Sequence, residues 1–254
     1  MPASASTPQV PNWPTIIGFV LFHIGAVGGV LYLALGGFSW ATLGLGFGWY
    51  LLSGFSITGG YHRLFSHRAY RSSRLLRWFY LFFGAAAFQT SVVSWCSDHR
   101  RHHAKSDQEE DPYSVTKGFW WAHMRWMLVK STTGVEHEMV RDLESQRSIA
   151  LQHRYYLPLA LFTAFLVPGL IAMAWGDFLG GVLVAGALRL TVLLHATWCI
   201  NSLAHTLGTR PYVDDLERPG MLHGAIVLSS HPRALRSLFG DSHLAQRKSV
   251  RLAE

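Results

Sequence analysis

Charge is what this sequence has least of, and where it is missing matters more than how much is missing. Only 15% of the 254 residues are charged, while 50% are apolar. No Asp, Glu, Lys or Arg precedes Arg63, and between Arg154 and Arg210 the only ones are Asp177 and Arg189. Two charge-poor blocks of this length exclude an ordinary soluble domain and identify an integral membrane protein. Cysteine is nearly absent too. Cys96 and Cys199 stand alone beside apolar sequence, which excludes a disulfide framework and a CxxC knuckle. The N-terminus lacks the basic start and cleavage site of a signal peptide, so the first apolar segment reads as a retained span. The net charge of +7 lies in segments attached to apolar spans. Its partners are therefore expected to be anionic lipid headgroups or a phosphorylated substrate, not nucleic acid.

The apolar runs define four expected transmembrane helices, at about 15–35, 41–59, 155–175 and 180–200. Residues 1–14, polar and Pro-rich, are expected to be disordered. Between His62 and Arg154 lie 14 Lys/Arg and 9 Asp/Glu, which makes 62–154 a cytosolic cap by the positive-inside rule. The N-terminus and the basic tail 216–254 share that side. Trp78–Ser97 carries no charge for twenty residues, but Gly84, Gln89, Thr90, Ser91 and Ser94 make it too polar for a lipid-exposed span. It reads as one helix that enters or lies along the interface. Gly118–Val129 reads as an aromatic-rich amphipathic helix at the membrane surface with His123 structural, and Val135–Arg154 as a solvated charged helix. His23, Arg189 and His195 fall inside spans, where burial against a partner helix is the expectation.

Histidine is what the chain has in unusual places. His99, His102 and His103 sit at i, i+3 and i+4 at the end of the uncharged run, on one face if helical. His62 and His67 precede them, and Asn201 and His205 lie one helical turn apart after the last span. Four spans place all three clusters on one side of the membrane. Trp198, Asn201 and His205, at i, i+3 and i+7, form one stripe of the emerging helix. Seven candidate ligands, with Asn201 acting through water, exceed what one ion needs, so two metals are the natural count. A nitrogen-rich dinuclear site beside an apolar cavity suggests iron and dioxygen chemistry, because a lipid chain offers nothing to hydrolyse mid-chain. Asp98 and Asp107 are candidate acceptors for imidazole N–H groups.

Three stretches carry a family resemblance: Gly60-Tyr-His-Arg-Leu-Phe-Ser-His-Arg68, Trp95 through His103, and Trp198 through Tyr212, reading WCINSLAHTLGTRPY. In order and spacing the chain from about Thr15 to Asp215 resembles the membrane fatty acyl-CoA desaturases of the stearoyl-CoA type. The resemblance implies an all-α membrane protein with four transmembrane helices under a cytosolic helical cap, two irons held by histidines, and a kinked tunnel for the acyl chain. It implies oxygen-dependent removal of hydrogens from adjacent methylenes, commonly at the ninth and tenth carbons, with electrons from a small redox donor. Carried over by position, His62, His67, His99 and His103 would serve one iron. His102 and His205 would serve the other, with Asn201 holding its water. Trp95, Asp98 and Trp198 would help bind the substrate.

The sequence departs from that pattern twice. Ser97 stands where animal acyl-CoA members have Arg, which removes one phosphate or headgroup contact. The tail carries His223, His231 and His243 at spacings of eight and twelve, with no HxxHH third box. A catalytically impaired or truncated paralogue is therefore one alternative. A membrane haem or electron-transfer protein is another, and it would require facing histidines inside the bilayer, for which only His23 and His195 qualify.

Overall fold

The computed structural model describes residues 10–106, 108, 110–131 and 133–207. Asp107, the end of the third motif at Tyr212, and the tail 216–254 with His223, His231 and His243 lie outside the described residues. Among the described residues there are nine helices of more than one turn, a short 3-10 helix at Val115–Lys117 and no strand. α1 spans Trp13–Ala34, and α2 spans Trp40–Phe55 and continues in a wider π geometry over Ser56–Ser66. α3 is Arg74–Ala85 and α4 is Val92–Ala104. α5 covers 119–128, α6 His137–Glu144 and α7 Arg147–Arg154. α8 runs Tyr156–Trp175 and α9 Phe178–Thr206.

Three helices, α1, α8 and α9, are long and apolar enough to cross a membrane. α1 is built inside out relative to a soluble helix. Leu21, Ile24 and Val27 are at least 60% exposed, whereas Ala26 and Gly29 are buried. Large side chains facing outward and small ones facing the neighbouring helix are what a lipid solvent selects. At Gly29 an added Cβ would sit 2.8 Å from the Leu183 carbonyl, so only glycine admits this approach of α1 to α9. At the far end, Asp177 caps α9 by accepting from the Gly180 N–H, while Tyr32 and Thr42 donate to its carboxylate and tie α1 and α2 to the α8–α9 turn.

Three expectations need correction. Residues 10–12 are ordered: Asn12 N–H donates to Leu128 O and Lys130 N–H to Val10 O, so this stretch pairs with the end of α5. Trp78–Ser97 is not one helix. α3 ends at Ala85, and the chain turns through Phe88 and Thr90, both at positive φ (54° and 70°), before α4 starts. Ser91 caps α4, its hydroxyl accepting from Ser94 N–H, which competes with helix continuation at that point. Val135–Arg154 is likewise two helices, and Val140, Leu143 and Ile149 fill the cap's core instead of being solvated. His123, expected to be structural, is buried at 6% exposure.

Arg189 shows how a cation is accommodated among the spanning helices. Its guanidinium donates to the carbonyls of Ala185, Ala86 and Ala164 at 2.8–3.0 Å. Those carbonyls belong to the end of α3, to α8 and to its own helix. A buried charge requires such a full set of acceptors, and here it locks the α3–α4 turn against α8 and α9.

Candidate metal centre

HxxxxH is an awkward spacing for an α-helix. Five residues at 3.6 per turn carry the second side chain about 140° round the axis. The chain resolves this in the backbone. Ser56–Ser66 takes the wider π geometry, and His67 N–H donates to His62 O at 3.0 Å, an i→i+5 bond. Both imidazoles then face the same way, with ring centroids 4.5 Å apart. Gly60 and Gly84 let this segment press on α3. A Cβ on Gly60 would meet the Tyr80 ring, and one on Gly84 would meet the ring of Tyr61.

In α4 the spacing i, i+4 needs no such adjustment. His99 and His103 lie one above the other, with Nε2 atoms 3.1 Å apart. Helices α2 and α4 bring the two pairs together. His67 Nε2 is 3.1 Å from both His62 Nε2 and His99 Nε2, and the ligand atoms of His62, His67, His99 and His103 all lie within 4.8 Å of one another.

Burial is the main cause that keeps these rings neutral. It lowers the pKa of His62, takes His67 to about 4 and His99 to about 2, with the neighbouring imidazoles adding to each shift. Nδ1 of His99 meets Tyr113 Oη at 3.3 Å, which leaves Nε2 to face inward as a lone pair. Four Nε2 atoms converging with so few protons among them form a donor set that a cation fits.

His102 faces a different way. Both carboxylate oxygens of Asp111, a fully buried residue, lie 2.9 Å from its Nδ1. Its ring is 6.2 Å from that of His205 on α9 and 5.5 Å from that of His103. His205 thus stands beside His102 and outside the cluster of four, while Asn201, half-buried, lies one helical turn before it on α9. Asp98 does not accept from an imidazole as expected. Its carboxylate is bound by Arg101, which also donates to Glu136, and burial raises the Asp98 pKa to about 6. The acceptor is Asp111 instead. The pattern His102-x8-Asp111 in a polar loop gave no periodic signal for it.

Sequence reasoning also missed the framing roles of Arg100 and Gln89, while it had named Trp95 and Trp198. Arg100 donates to Phe65 O at 2.8 Å, to Ser66 O at 3.1 Å, to Met139 O and to Asp142. It thereby ties α4 to the end of the π segment and to α6. Trp95 stacks on His99, centroids 4.7 Å apart. Trp198 is 3% exposed, packed between Phe19 and His195. In the strained α3–α4 turn, Gln89 donates to Thr197 Oγ1 at 2.9 Å, beside Trp198. His23 and His195 do face each other inside the membrane segments, but they are in direct Nε2–Nε2 contact at 3.0 Å and leave no room for a haem iron between them.

Comparison with known proteins agrees with this geometry. The family model described as Fatty acid desaturase matches residues 38–241. The chain is 46% identical over 168 residues to the "Probable acyl-CoA desaturase" of Schizosaccharomyces pombe, covering 65% of this chain and 35% of that protein. It is 43% identical over 173 residues to "Acyl-CoA desaturase 1" of Saccharomyces cerevisiae, covering 67% and 34%. It is 38% identical over 207 residues to the "Stearoyl-CoA desaturase" of Homo sapiens, covering 79% and 57%. The chain thus spans between about a third and three fifths of the length of these relatives. With a match over well over half its length and a histidine cluster built from its first two motifs, the chain belongs to the fatty acid desaturase family.

Proposed function

We propose that this protein desaturates a saturated fatty acyl chain, using dioxygen and two electrons from a small redox donor, at a histidine-ligated metal pair. The observation that carries the reading is the convergence of His62, His67, His99 and His103, with the His102 ring next to His103 and near that of His205. In this reading the first four hold one iron. His102 and His205 hold the other, with Asn201 contributing through a water. When bound, the iron pair supplies dioxygen activation strong enough to take hydrogen from an unactivated methylene.

The chain's own residues do the rest. Asp111 keeps the hydrogen of His102 on Nδ1 and so leaves Nε2 for the metal. Trp95, stacked on His99, and the buried Trp198 supply flat apolar walls for the acyl chain. Gln89 and Thr197 brace the α3–α4 turn against α9, fixing the path on which the chain bends. The Arg-rich surface from Arg63 to Arg77 suits a polar, anionic carrier such as coenzyme A. α2 with its π extension acts as the fourth membrane-crossing element, and the cap with both chain ends faces the cytoplasm. A Δ9 position follows the acyl-CoA relatives' pattern.

The test is the fatty-acid profile of cells lacking their own desaturase, expressing this chain with a redox donor, beside His102→Ala. Iron content is measured on the purified proteins. New monounsaturated acids with the native chain alone, and about two irons per chain, support the reading. A well-expressed, iron-loaded chain that yields no product would overturn it.

A further inference from the structure

The side of the cap formed by α3 and α7 exposes large apolar groups among cations. α3 leaves Leu75 81% and Trp78 54% exposed, and Leu151 of α7 is exposed with Tyr155 and Leu157 at the start of α8. Arg71, Arg74, Arg147 and Arg154 are exposed beside them. On α3, Arg74, Leu75 and Trp78 fall at i, i+1 and i+4. On α7, Arg147, Leu151 and Arg154 fall at i, i+4 and i+7. Each helix thus carries one outward stripe that is both basic and apolar. The stripes are neighbours, because Arg77 Nη1 donates to Gln146 Oε1 at 2.6 Å and so joins α3 to the residue before α7.

Two separate constraints put this face at the level of lipid headgroups. α8, one of the helices long and apolar enough to cross a membrane, begins at Tyr156, so Arg154 and Tyr155 stand at its point of entry. α3 enters alongside. Phe82 and Phe83 in its last turns pack in one cluster with Trp49 of α2 and Ala164 of α8, while its first turn carries Arg74. At such a boundary Trp and Tyr seat their rings among headgroups, and arginine lays its stem on apolar surface with the charge turned outward. The Arg154 guanidinium lies over the Tyr155 ring, 5.5 Å from its centroid.

Charge decides which headgroup fits. No Asp or Glu occurs in residues 61–97 or 145–176. The carboxylates nearest in sequence are engaged elsewhere, Asp142 with Arg68 and Arg100, and Glu144 with His137. A zwitterionic headgroup would bring a second cation into this field, whereas an anionic one would not. We propose that α3 and α7 form a binding face for anionic phospholipid, with its phosphate among the arginines of the two stripes and its acyl chains beside Leu75, Trp78 and Leu157. This takes the α3 end of the Arg63–Arg77 surface for lipid and leaves its start, next to His62, for the acyl carrier.

Binding there bears on the metal centre. The inner side of α7 holds the helices that carry the histidines. Buried Gln152 accepts from Val92 N–H of α4 at 3.1 Å and donates to the hydroxyl of Tyr61, next to His62, at 2.8 Å. A lipid that fastens α3 to α7 from outside therefore steadies both halves of the cluster.

The test uses the full chain in a neutral detergent, with phosphatidylglycerol or phosphatidylcholine of the same acyl chains added. Lipid retained per chain is read by native mass spectrometry, and stability by the melting temperature. The native chain should prefer phosphatidylglycerol and melt higher with it, and the rise should shrink with salt. Each arginine removed should weaken phosphatidylglycerol binding about fivefold, and Arg74→Gln with Arg154→Gln about 25-fold, with phosphatidylcholine binding unchanged. Arg141→Gln, at an exposed arginine of α6, should alter neither. Melting in phosphatidylcholine checks that the variants fold, and Arg147→Gln gives a fivefold loss to read if the double variant does not. Equal retention of the two lipids by the native chain would overturn the proposal, as would a preference that survives the double substitution. So would glycerol phosphate giving the same thermal shift, which would make this a free-phosphate site. Displacement of the lipid by coenzyme A would likewise overturn it and return the α3 arginines to the carrier. None of these readouts needs turnover, so the outcome is independent of the desaturase reading.

Discussion

Asp111 presents both carboxylate oxygens to Nδ1 of His102, each at 2.9 Å, and is itself fully buried. A buried carboxylate in that position fixes both the tautomer and the tilt of the ring. In the proposed reading it would therefore act on a metal that it does not touch. Asp111→Asn should retain the fold but weaken metal binding at the His102 side by about 10–100-fold. Titration of the metal-free protein with ferrous ion, followed by retained iron per chain, measures this. Equal affinities for the two proteins would show that Asp111 is structural only.

Acid should destabilise the metal-free protein, with a sign fixed by the cluster. Folding lowers the pKa of His62, of His67 to about 4 and of His99 to about 2. The unfolded chain thus binds protons that the folded one refuses. Stability is fully present above the unfolded value of about 6.5 and is lost as pH falls toward the folded values. Metal-free protein in detergent should melt at a lower temperature at pH 5 than at pH 7.5. His99→Asn should flatten that dependence, and a slope unchanged by the substitution would refute the assignment.

Arg100 holds the two halves of the cluster in register through the carbonyls of Phe65 and Ser66 and the carboxylate of Asp142. Arg100→Met keeps much of the stem but removes all these donors, leaving the Asp142 charge to Arg68 alone. A loss of about 2–3 kcal/mol is expected, read as a shift in the denaturation midpoint of the cap. Arg100→Lys should recover only part of it, because one ammonium cannot span these acceptors.

Gly84 should tolerate nothing larger. A methyl there meets the Tyr61 ring, whose hydroxyl accepts from Gln152 at 2.8 Å. Gly84→Ala should cost about 1–3 kcal/mol as an overpacked contact and displace the π segment that carries His62. Thermal unfolding and iron retention would fall together. A neutral result would mean that α3 yields easily.

Much of this was legible in the sequence, because a membrane writes in long uniform runs. α1, α8 and α9 follow from charge-poor stretches, and the turn between the last two follows from Gly176-Asp177. The histidine pairs were legible as ligands because imidazole beside an apolar span needs a reason. The break at Phe88–Thr90 was not, since it depends on two residues held at positive φ by tertiary contacts, among them the clasp of Arg189 on Ala86. Asp111 was hidden because a loop carboxylate has no period, and its role exists only once the loop folds back on α4. The contacts of His195 with His23 and His123 were unreadable for the same reason, since they join segments up to 172 residues apart.

The wide turn between His62 and His67 has a further implication. A π segment is an α-helix that has accepted an extra residue, and the five-residue spacing here is the four-residue spacing of His99 and His103 with that residue included. Both halves of the cluster thus present equivalent pairs from helices of different gauge. Removing one residue between His62 and His67 would regularise the helix. It would also rotate every side chain on the N-terminal side of the deletion by about 100° relative to those beyond it, pulling Tyr61 out of its pocket. The irregular backbone is therefore what lets one continuous helix run on from its apolar segment and still present a histidine pair in register with that of α4.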